Sequence, residues 1–344
     1  MFRKLFLGAA GALALATSPA SAAQYQFNIF LPPTNFIWPV LKTWASEINT
    51  KTDGRVDIVF PAQSVVPPSR VMDAVRSQVV DGGIMANIFL PPSLPGARAG
   101  MLPWVNTGDA EAASVALWDT YEKFFKGKEN WSGLKLVGLF QYGKAKFCST
   151  INRPLTTVSD LRQRKVWALP GVNAQVLQRM GVPVSASPAV HIFELVSRNV
   201  VQAFVGIPAE GIVSFKAGPY TKSCLDMKTS LSSVGFSMFF SQAAWNRLSP
   251  NDQKTVMKLS GDHFARMFGK AFDAADKKAT HELKAQGVKF VPIDPALAKA
   301  LKAAAQPTID DWIATVTKHG IDGRAAYDFM AAQTAKLTKA DAAK

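Results

Sequence analysis

The strongest restriction on the fold is an alternation that begins near residue 24. "QYQFNIFLPP" (24–33) has strand character and stops at a double proline. "FIWPVLKTWASEINTKTDG" (36–54) follows as a helical pattern with Val40, Leu41, Trp44, Ala45 and Ile48 on one face. "RVDIVFP" (55–61) alternates as a strand, and "PSRVMDAVRSQVVDG" (68–82) is amphipathic again, ending at a glycine pair. "GIMANIF" (83–89) then reads as a buried strand. Strand and helix at this spacing predict parallel βαβ units. The rhythm returns after "GLKLVGLFQYG" (133–143): "KVWALP" is a strand, "GVNAQVLQRMG" a helix, "VPVSAS" a strand, "AVHIFELVSRN" a helix and "VVQAFVG" a strand. Two α/β lobes joined by crossing strands account for this order.

The segment 249–287 breaks the rhythm. Ser249 stands as N-cap, Pro250 in the first turn and Asp252 in a capping-box position. Val256, Leu259, Phe264, Met267, Phe268, Phe272, Ala275, Ala279 and Leu283 continue one helical stripe until Gly287. Unbroken, this helix runs ~55 Å at 1.5 Å per residue, enough to lie across both lobes. A kink at Gly261 or Gly269 is the competing reading. The expected division is lobe I from 23–146 plus about 233–270, and lobe II from 147–232 plus about 271–344.

Ahead of the alternation, residues 1–22 read as a secretory signal. Arg3 and Lys4 give a positive start, Leu5 to Thr17 an apolar run too short to span a bilayer, and Ala20-Ser21-Ala22 a small-residue cleavage site. Nothing later is long and apolar enough to cross a membrane, so a soluble periplasmic product without stable membrane insertion is expected. Hydrophobic residues make up 48% and charged ones 19%, as in a globular chain. The net charge is +14, two units of it from Arg3 and Lys4. The basic residues are scattered rather than gathered into an arm or an aromatic-interleaved patch, which favours a solvated surface over nucleic-acid binding. Cys148 and Cys224 are the only cysteines; whether they bridge depends on the approach of their Cβ atoms, which sequence leaves open.

Catalytic signatures are absent. No phosphate loop, nucleophile elbow or HExxH run occurs. The four histidines (191, 263, 281 and 319) and two cysteines show no metal-ligand spacing, and no cofactor is expected. An exported two-lobed α/β chain of this kind reads as a binding protein that closes around a solute, not an enzyme.

Several stretches resemble one family closely: "SRVMDAVRSQVVDGG", "MLPWV", "RPLTTVSDLRQRKV", "MGVPVSASPAVHIFELVSRNVVQAFVG", and "WNRLSPNDQKTVMKLSG" with its helix ending in "LKAQGVKF". They resemble, in order and over nearly the whole chain after the signal, the solute-binding subunits of tripartite ATP-independent periplasmic (TRAP) transporters, the DctP-like family. The resemblance implies two α/β lobes with a ligand cleft between them and a long helix contacting both. It also implies delivery of the solute to TRAP membrane permease subunits. Members that bind organic acids carry an arginine two residues after the lysine of the strand lining the cleft; here that strand reads Lys165-Val166-Trp167. A guanidinium pairs with both oxygens of a carboxylate, whereas an indole offers one N–H and a π face.

Other departures run the same way. Phe204 and Gly206 stand where the family often has polar residues on the following strand, and Phe147 falls where some members carry a second basic residue, a position that Lys146 takes after a one-residue shift. The expected pocket therefore has aromatic walls: Trp167, Phe204 and Phe147, with Phe36 or Trp38 from lobe I. Asn87, Gly206, Glu210 and Lys146 are the remaining candidates, Glu210 as a complement to an amine. Such walls suit an aromatic, neutral or amine-bearing solute. The alternatives are a conventional carboxylate binder using a shifted basic residue, or a secreted enzyme or sensor on the same scaffold.

Overall fold

The computed structural model describes residues 23–106 and 109–342; the signal reading of 1–22 lies outside them. The chain opens with β1 (Ala23–Asn28), α1 (Ile37–Lys51), β2 (Val56–Val59), α2 (Val71–Arg76) and β3 (Gly82–Ala86). The helical stripe of α1 is buried as its spacing predicts, with Leu41, Trp44 and Ile48 fully enclosed. α3 (Ala110–Phe124) and β4 (Leu134–Gln141) complete the first pass. The chain then crosses into β5 (Lys146–Ser149), α4 (Val158–Arg162), β6 (Val166–Ala168), α5 (Val172–Arg179), β7 (Val184–Ala186), α6 (Ile192–Ser197), β8 (Ala203–Ile207), α7 (Ala209–Ser214) and β9 (Ser223–Asp226). It returns as β10 (Gly235–Ser241), α8 (Gln242–Arg247), α9 (Pro250–Leu259) and α10 (Gly261–Ala285), and ends with β11 (Lys289–Pro292), α11 (Pro295–Lys318) and α12 (Gly323–Ala342).

Two sheets result. Lobe I has the order β2-β1-β3-β10-β4 and lobe II the order β11-β9-β5-β8-β6-β7. The βαβ units are parallel as expected: β1 with β2 and β3, and β6 with β7 and β8. The crossing strands are the antiparallel ones. β10 inserts between β3 and β4, and β5 pairs antiparallel to both β8 and β9. Residues 142–145 and 227–234 therefore carry the chain between lobes.

The long stripe divides at Gly261, whose φ of +51° no continuous helix accommodates. Gly269 stays helical. A Cβ there would strike the backbone of Ala110 and Glu111, so the missing side chain is what lets α10 meet the start of α3. α10 alone spans about 37 Å at 1.5 Å per residue. It packs on α1, α3 and β4 in lobe I and on α7 in lobe II.

The carboxy-terminal division differs from the expected one. α11 begins in lobe II, where Leu297, Leu301 and Ala305 are buried, but its far end belongs to lobe I: Trp312 and Val316 join that core, and Trp312 Nε1 donates to Pro95 O at 3.0 Å. α12 packs on α3. Assigning 271–344 to lobe II misses this return, because amphipathic helices carry no mark of which lobe covers them. Cys148 and Cys224, opposite one another on β5 and β9, form a disulfide.

Candidate functional site

In open α/β sheets solutes bind beyond the carboxyl ends of the strands, and the lobes meet around such a place. Lobe I contributes Phe30 and Leu31 after β1, Ile88 and Phe89 after β3, and Tyr142, Val234 and Phe236 from the crossing segments. Lobe II contributes Leu169 after β6, Pro188, Ala189 and Val190 after β7, Gly206 to Pro208 at the end of β8, and Phe215. The cavity they enclose is small, about 40 Å³.

Among the described residues no charged side chain lines this space, and Tyr142 is the one polar side chain in the wall. Its ring stacks on Phe272 at 4.8 Å and meets Phe236 edge-on at 4.8 Å, which fixes it between α10 and the cavity. Its hydroxyl is buried, beside the side chain of Asn35. Gly206 has φ +109°, and a Cβ there would lie 2.7 Å from Leu169 Cβ and 3.0 Å from Asn173 Nδ2. Both the backbone and the space exclude a side chain at this point of the wall.

The expected site residues separate into groups. Gly206 lines the cavity. Trp167 does not, and its expected place as a wall is corrected: it is fully enclosed, with Nε1 donating to Ser187 Oγ at 2.8 Å. It lies opposite Phe204 in the β6–β8 register, and both join a core that includes Ile192, Val196 and Ile212. Position along the strand explains this: Leu169 and Gly206 share a face with Trp167 and Phe204, but lie two residues nearer the carboxyl ends, where the cavity is. Phe147 is buried in the other lobe II core, with Val166 and Val205. Phe36 packs on Phe268 and Phe272 at 5.3 and 5.4 Å, outside the wall. Trp38 Nε1 donates to Leu31 O at 3.2 Å and so holds a wall residue rather than being one. Asn87 is spent internally, donating to Ala97 O and accepting from Ser237 Oγ at 2.6 Å.

Glu210 and Lys146 lie at the hinge rather than in the wall. Asn35 of lobe I donates through Nδ2 to Glu210 Oε1 at 3.1 Å, and Glu210 N donates to Asp276 Oδ1 of α10 at 2.8 Å. Burial, and then the charge of Asp276, push the Glu210 carboxyl up to about 7. Burial likewise raises Asp276 and lowers Lys146. Glu210 therefore serves the junction of the lobes and the spanning helix, which removes it as a free complement to an amine in the cavity.

The residues missed by sequence reasoning had a signal. "NIFLPP" occurs twice, at 28–33 and 87–92. It follows the two neighbouring parallel strands β1 and β3, and supplies Phe30, Leu31, Ile88 and Phe89 to the wall.

Residues 27–315 match the family described as bacterial extracellular solute-binding protein, family 7, DctP. The chain belongs to that family. Solved DctP relatives are TRAP periplasmic solute-binding proteins. One from Bordetella bronchiseptica, with bound (R)- and (S)-mandelate, is 30% identical with a TM-score of 0.85, covering 92% of this chain and 99% of that one. Another from Rhodoferax ferrireducens, in complex with benzoate, is 20% identical with a TM-score of 0.82, over 93% and 100%. An outer membrane transporter protein, TsaT, from Comamonas testosteroni is 30% identical over 97% of this chain and 98% of its own. Among the described residues of this DctP protein no helix is long and apolar enough to cross a membrane.

Proposed function

We propose that this DctP protein captures a small aromatic solute, uncharged where it is held, in the cavity between its lobes and delivers it to a TRAP permease after export to the periplasm. The observation that carries this reading is the composition of the wall: apolar residues from both lobes, one tyrosine, and no charged side chain. Burying a carboxylate in such a place without a cation costs several kcal/mol, whereas a ring gains from contact with Phe30, Phe89, Phe215 and Phe236.

A second reading, an aromatic carboxylate, is favoured by the 30% identity to the mandelate-bound protein. Calorimetric titration with benzamide, benzoate, (R)-mandelate and succinate separates the two. Benzamide is expected to bind tighter than benzoate, and succinate not measurably. Benzoate or mandelate outbinding benzamide would establish the second reading, and succinate outbinding every ring compound would overturn both.

A further inference from the structure

A second hollow lies on the seam between the lobes and shares no wall residue with the solute cavity. Pro95 and Arg98 come to it from lobe I, Gln175 from α5 of lobe II, and Asp311 and Trp312 from α11, which runs between the lobes. Its open volume is about 170 Å³, well above the ~10–15 Å³ that admits one water. Arg98 is half-buried there, and among the described residues its side chain has no hydrogen bond or ion pair. Burial alone lowers its pKa, with no carboxylate acting against it. Arg55, Arg247 and Arg266 differ, each being held by an aspartate that raises it. Asp311, the carboxylate in the wall of the hollow, is exposed and faces Arg179 of lobe II at 3.8 Å instead. A cation drawn out of water without a counter-charge is costly, so Arg98 stands ready for an anion.

We infer that this hollow is a second binding site, which takes a small oxyanion, a carboxylate or phosphate group, on the Arg98 guanidinium. A guanidinium presents its N–H groups as a planar fork that matches two oxygens of such an anion. The exposed Gln175 amide adds donors from the facing lobe. Trp312 gives its N–H to Pro95 O at 3.0 Å, so its ring serves as an apolar side of the hollow. Arg98 and Gln175 belong to different lobes, and an anion held by both ties the lobes at their seam. The site is independent of the aromatic-solute proposal, because the two spaces have no residue in common.

The test is calorimetric titration of sodium phosphate and sodium acetate, at constant ionic strength, into the full chain and into Arg98→Gln, Arg98→Lys and Lys42→Gln. The parent protein is expected to bind at least one of the two anions saturably, and the tighter one names the source of the oxyanion. Arg98→Gln should weaken that binding by roughly tenfold or more, the worth of a charge-assisted hydrogen bond. Arg98→Lys should fall between, since an ammonium keeps the charge and loses the fork. Lys42→Gln, on the exposed face of α1, should bind as the parent does. Melting temperatures without anion should show Arg98→Gln at least as stable as the parent, because an unpaired charge has been removed from a half-buried place. Saturable binding that survives Arg98→Gln unchanged would put the anion elsewhere and overturn the inference. So would an equal loss in Lys42→Gln, which would make the effect one of overall charge, or the absence of binding of either anion to the parent protein.

Discussion

Trp167 illustrates what a single position can and cannot tell. The order Lys165-Val166-Trp167 is plain in the sequence, but the burial of Trp167 inside β6 is not, because a strand of three residues does not mark how far along it the cavity begins. As a core residue bonded to Ser187, it is expected to matter for folding first: Trp167→Ala should cost about 3–5 kcal/mol, read by urea unfolding. A cost under 1 kcal/mol with a selective loss of solute binding would return the indole to the wall. Glu210 carries the pH behaviour of the hinge. Its carboxyl is raised from 4.5 to about 7 in the folded protein, so the folded form holds the proton more tightly than the unfolded chain. Its contribution is fully present below about pH 4.5, is lost as pH rises through about 7, and changes no further above that. Glu210→Gln should therefore stabilise the protein at pH 8, on the order of 1–3 kcal/mol, and have little effect at pH 4. An equal gain at both would show that the carboxyl is not held protonated. Of the nine candidate site residues only Gly206 reached the wall, while the repeated "NIFLPP" named four wall positions that pattern-reading by period passed over.

At the scale of elements the sequence was far more readable. The periods of two and 3.6 placed β1 to β3 with their helices, and β6 to β8 with theirs, because each element buries one face of its own. What the periods could not choose was whether the stripe at 249–287 is one helix or two, since Val256 and Phe264 fit either. Only the backbone at Gly261 decides, and its φ of +51° divides α9 from α10. Gly269 was the other candidate break and instead serves close packing. Gly269→Ala is expected to push α10 off the start of α3 and cost about 1–3 kcal/mol. Circular dichroism should show helicity retained, because alanine is the better helix former; a stabilised Gly269→Ala protein would mean that α3 yields easily. The placement of α11 and α12 was illegible for a different reason: their partners in lobe I are distant in sequence.

For the whole molecule, two crossing segments, α10 and α11 join the lobes, with the solute cavity between them. Solute binding is expected to draw the lobes together about these connections. Small-angle scattering should give a smaller radius of gyration with saturating benzamide than without, and an unchanged value would argue for a rigid frame. The Cys148–Cys224 bond gives the assembly a further property. Its cysteines lie on β5 and β9, the strands by which the chain enters and leaves lobe II, and they are 76 positions apart. Most of that lobe is therefore a covalently closed ring, sealed at its own neck. A protease that nicks any loop between 150 and 222 opens the ring without releasing a piece. The cut protein should migrate as one chain until reductant is added, and only then as two.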